Sequence, residues 1–88
     1  MSMVLDDVIR ERVTFLHELI RPENKPAVNA TFQLQIETLQ SADIEKLDRS
    51  IMMRKTHLNQ TKDVRADRLY VELEALERLQ RQANNHSR

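Results

Sequence analysis

The chain contains no glycine. Every turn must therefore be built from residues that carry a Cβ and resist the left-handed backbone that glycine enters freely. Primed two-residue hairpins and loops that wrap backbone amides around a phosphate are both disfavoured by that absence. Aromatic residues are nearly missing too: Phe15, Phe32 and Tyr70 are the full set. Ala, Leu, Glu, Gln and Arg are common, and strand formers are too sparse for a sheet. The expected fold is all-α: a small antiparallel bundle of three or four helices with a coiled-coil-like C-terminal half.

Eighty-eight residues allow one helical domain, 1–88. A chain of this size buries roughly 60–65% of the surface that its unfolded form exposes, which leaves a monomer marginally stable. Without cysteine there is no disulfide, thiolate metal site or thiol nucleophile. Very good helix packing or a second copy then has to supply the stability, so a homodimer is expected. No apolar run nears the ~20 residues that span a bilayer. The first twelve residues carry Asp6 and Asp7 and lack the apolar run of a signal peptide. The expected location is cytoplasmic, with no membrane partner.

Helical phase sets the layout. Val4, Leu5, Val8, Ile9, Val13, Leu16, Leu19 and Ile20 recur at spacings of three and four, which predicts a first helix from Met3 to Ile20. Phe15 widens its apolar face. Arg21 before Pro22 should end it, since a proline disfavours a helical residue ahead of itself. Residues 22–26 form a proline-bearing turn in which Asn24 is the expected cap of a second helix. Val28, Phe32, Ile36 and Leu39 fall within roughly 80° of arc on a helical count, and Leu34 does not fit that stripe.

At Ser41 the stripe shifts by roughly 95°, and Ser41-Ala42-Asp43-Ile44-Glu45 reads as a fresh start with a serine cap. Ile44, Leu47, Ile51 and Leu58 form the next seam. Leu69, Leu73, Leu76 and Ala83 continue it at nearly the same phase, which suits one helix from Ser41 to Gln82. Asn59 to Asp63 is polar all round, however, and the preferred reading is a turn there. Residues 84–88 read as a frayed tail.

Charge is uneven. Residues 1–45 hold four basic and eight acidic side chains, a net of −4, whereas 46–68 hold seven and three, a net of +4. Asp6–Arg10, Glu45–Arg49, Glu74–Arg78 and Glu77–Arg81 stand acid before base at i, i+4, the favourable order. The basic belt is expected to meet the acidic N-terminal helices, within the fold or across a dimer.

No chemistry-bearing cluster emerges. His17, His57 and His86 lie on different segments, and His17 and Glu18, adjacent on a helix, point about 100° apart and cannot share a metal. No catalytic, cofactor or metal residue is expected, no small-molecule substrate and no enzyme activity. The expected function is protein–protein interaction, as an adaptor, small chaperone or regulatory subunit. The expected contacts are Val4, Val8, Phe15 and Leu19 on the first helix, with Met52 and Met53 on the third segment. Ile51-Met52-Met53 spans about 200° of a helix, so both methionines must leave the seam, and methionine suits adaptable surfaces. Burial of the pair under the first or second helix is the competing expectation. The alternative function is a small nucleic-acid-binding regulator using Arg49, Arg54, Lys55, Lys62, Arg65 and Arg68. A formal net charge of zero and the interrupting Asp48, Asp63 and Asp67 make nucleic acid the weaker partner.

Overall fold

The computed structural model describes residues 2–61 and 64–86, with side chains for 6–61 and 66–84. The chain forms four α-helices: α1 (Ser2–Leu19), α2 (Pro26–Gln40), α3 (Leu47–Gln60) and α4 (Val64–His86), with a 3₁₀ turn over Ile44–Lys46. Among the described residues there is no strand. α1 packs on α2, and both pack on α4; α3 packs on α4, with no comparable contact to α1 or α2. On α3 and α4, low numbers meet high ones: Asp48 bonds Gln80 and Lys55 pairs with Glu77. The two helices thus form a hairpin, and the continuous Ser41–Gln82 helix does not exist. α4 runs through His86, and residues 87 and 88 of the expected 84–88 tail lie outside the described residues.

Polar side chains make the turns that glycine would make elsewhere. No described residue has a positive φ. Between α1 and α2, the Asn29 amide brackets the Arg21 peptide: its Nδ2 donates to the Arg21 carbonyl at 2.8 Å, and its Oδ1 accepts from the Arg21 N–H at 3.4 Å. Asn24 does not cap α2 as expected. Its Nδ2 donates to the Leu19 carbonyl at 2.7 Å, closing the C-terminal end of α1, and Lys25 takes the N-cap position in extended backbone without a side-chain bond. Pro26 costs no hydrogen bond in the first turn of α2, where the N–H is unpartnered in any helix. Ser41 also acts backwards. It ends α2, its hydroxyl donating to the Glu37 carbonyl at 2.9 Å, while Asp43 accepts from the Glu45 N–H and starts the 3₁₀ turn.

The core is Leu16 from α1, Ile36 and Leu39 from α2, Leu47 and Ile51 from α3, and Leu73, Ala75, Leu76 and Leu79 from α4. Each fully buried leucine or isoleucine contributes about 1.5–3 kcal/mol. α4 supplies more of this core than any other helix because it alone packs on the other three. Gln35 and Thr38 are buried beside it, with the Thr38 hydroxyl bonded to the Leu34 carbonyl at 2.8 Å.

Candidate protein-binding surface

α3 has one covered side. Leu47 and Ile51 face α4 and are buried, with Leu58 partly buried on the same seam. Met52 and Met53 follow Ile51 at about 100° and 200° round the helix, which turns both away from α4. They are 61% and 54% exposed, so neither α1 nor α2 covers them. Arg49 lies one turn before the pair, exposed, and Lys46 lies one residue ahead of α3 in the 3₁₀ turn.

The α1 residues divide. Val8 and Leu19 are half-buried and pack against the core, so they hold the fold. Phe15 is 46% exposed, with the Arg12 guanidinium 4.9 Å from its ring centre, a cation–π contact. The Val4 side chain lies outside the described residues. Val28 and Tyr70 are exposed as well. Tyr70 lies off the α4 stripe in sequence, which signals its exposure; Val28 lies on the α2 stripe and carries no such signal.

Within one molecule, and among the described residues, the basic belt meets α4 rather than the acidic N-terminal helices. Arg54 Nε is 2.9 Å from a Glu72 oxygen, Arg68 Nε is 3.0 Å from the other, and Lys55 Nζ is 3.6 Å from Glu77. Three of the six candidate phosphate contacts are therefore engaged with carboxylates. Arg49 is exposed, and the side chains of Lys62 and Arg65 lie outside the described residues. The sequence-adjacent pairs also rearrange. Arg10 pairs with Asp7 at 3.3 Å rather than with Asp6, and Glu77 reaches Lys55 rather than Arg81. Glu45–Arg49 and Glu74–Arg78 are absent among the described ion pairs.

A small cleft where α1, α2 and α4 meet is lined by Arg12, Gln35, Glu74 and Arg78 and has a volume of about 10 Å³, room for one water. Burial lowers the Arg12 pKa below its ordinary value and the Arg78 charge lowers it further, with Glu74 opposing. Two open grooves flank the α3–α4 hairpin. The larger, about 440 Å³, exposes Leu58 and Tyr70 between Lys55 and Glu77. No group of three or more metal-ligating side chains occurs among the described residues, and no helix there is long and apolar enough to cross a membrane. No family model, curated protein or solved structure matches the chain.

Proposed function

We propose that this protein is a protein–protein interaction module, an adaptor, small chaperone or regulatory subunit, that grips a partner chain with the outer face of α3. The observation that carries the reading is the pair Met52 and Met53, both more than half exposed on a helix packed against one neighbour. Adjacent unbranched thioethers adapt to varied apolar partners, and removing them from water on contact supplies the driving force. Phe15 on α1 offers a second apolar contact.

A photo-crosslinking amino acid at Met53 should give an adduct in cells, and one at exposed Thr31 on α2 should give none. Met52→Asp together with Met53→Asp should abolish an adduct from a crosslinker at Thr56, while helical circular dichroism stays within about 5% of the parent, because surface changes usually move stability by less than ~0.5 kcal/mol. Loss of helicity would assign the methionines to the core, and absence of any adduct would remove the reading.

A further inference from the structure

We infer that the chain that occupies this face is a second copy of the protein, whose α1 lies against α3. The inference rests on the interaction-module reading and names the partner. The outer side of α1, turned away from Leu16, carries Glu11, Thr14 and Glu18, and exposed Phe15 borders it with Glu11 four residues before and Glu18 three after, on the same side of the helix. The outer side of α3 carries Arg49 ahead of Met52 and Met53, and exposed Lys46 lies just before it in the 3₁₀ turn. One face is an aromatic ring between two acids, with the Arg12 guanidinium 4.9 Å from the ring centre; the other is a pair of thioethers beside two bases. Sulfur–aromatic contact is favourable, and the charges are opposite across the contact.

These four charges are available. Asp7, Arg54, Lys55 and Arg68 have ion partners within the fold, whereas Glu11, Glu18, Lys46 and Arg49 have none among the described residues. The two faces do not satisfy each other inside one molecule, since α1 and α3 have no substantial packing. A second copy brings them together. The chain is self-complementary, with a net charge of zero divided between an acidic N-terminal part and a basic 46–68 segment. No cysteine is present to stabilise the small core in another way.

Charge reversal tests this directly. Light scattering of the parent chain should give a mass rising from 10.4 kDa to about twice that with concentration. The variant Glu11→Lys/Glu18→Lys sets base against base in a self-pair, and Lys46→Glu/Arg49→Glu sets acid against acid. Each alone should associate at least about tenfold more weakly, since like charges facing each other across an interface repel. An equimolar mixture restores opposite charges in both contacts and should recover affinity to within about threefold of the parent. A parent that stays monomeric, single variants that associate as the parent does, or a mixture without recovery would overturn the self-pairing. A Met53 crosslink to a chain of another mass, with the parent monomeric, would overturn the second copy and leave the module reading standing. No adduct of any mass would remove both.

Discussion

α2 and α3 are almost equally long, at 15 and 14 residues, yet they treat their side chains in opposite ways. α2 buries two polar residues, Gln35 and Thr38, along with Ile36 and Leu39; α3 buries Leu47 and Ile51 and leaves two methionines in water. The cause is the number of neighbours. α2 lies between α1 and α4, so even off-stripe positions are enclosed, and a polar side chain there must bond locally, as Thr38 does to Leu34. α3 meets α4 alone. Apolarity decides which side chains gain from burial, and topology decides which of them obtain it.

The contrast can be broken by truncation. Ile36→Ala should cost about 3–5 kcal/mol, because a cavity enclosed by several helices cannot collapse. Ile51→Ala should cost nearer 2 kcal/mol, since α3 can settle toward its single neighbour. Urea unfolding followed by circular dichroism measures both, and equal losses would show that α3 is gripped as firmly as α2. Glu72→Ala sharpens the comparison at a smaller scale. It leaves Arg54 and Arg68 without their shared, mostly buried carboxylate, and should cost about 1–2 kcal/mol. Adding 0.5 M salt should reduce that difference only partly, because a half-buried pair is incompletely screened.

Much of the layout was legible from spacing. α1 was expected over Met3–Ile20 and forms over Ser2–Leu19, and the phase shift at Ser41 marks the true end of α2. The local chemistry at helix ends was less legible, because Asn and Ser cap in either direction: Asn24 and Ser41 both serve the helix before them. α4 was expected to present Leu69, Leu73, Leu76 and Ala83, but it also buries Ala75 and Leu79. A single seam is too narrow a template for a helix that touches three others. Cross-helix ion pairs such as Arg54–Glu72 were hidden for a related reason, since separations of 18 or more residues depend on how the helices fold back. For the candidate surface, the off-seam placement of Met52 and Met53 was readable, but their exposure depended on what α1 and α2 fail to cover.

The attachment of α3 through one helix also bears on how the molecule breathes. Its amides can open to solvent while α1, α2 and α4 keep their mutual packing, so the energy of that local excursion falls below that of global unfolding. Deuterium should enter α3 ahead of α2 at neutral pH, as mass spectrometry of proteolytic fragments can record. An occupant on the Met52–Met53 face would clamp the most loosely held helix, and the slowing of exchange there would report its arrival.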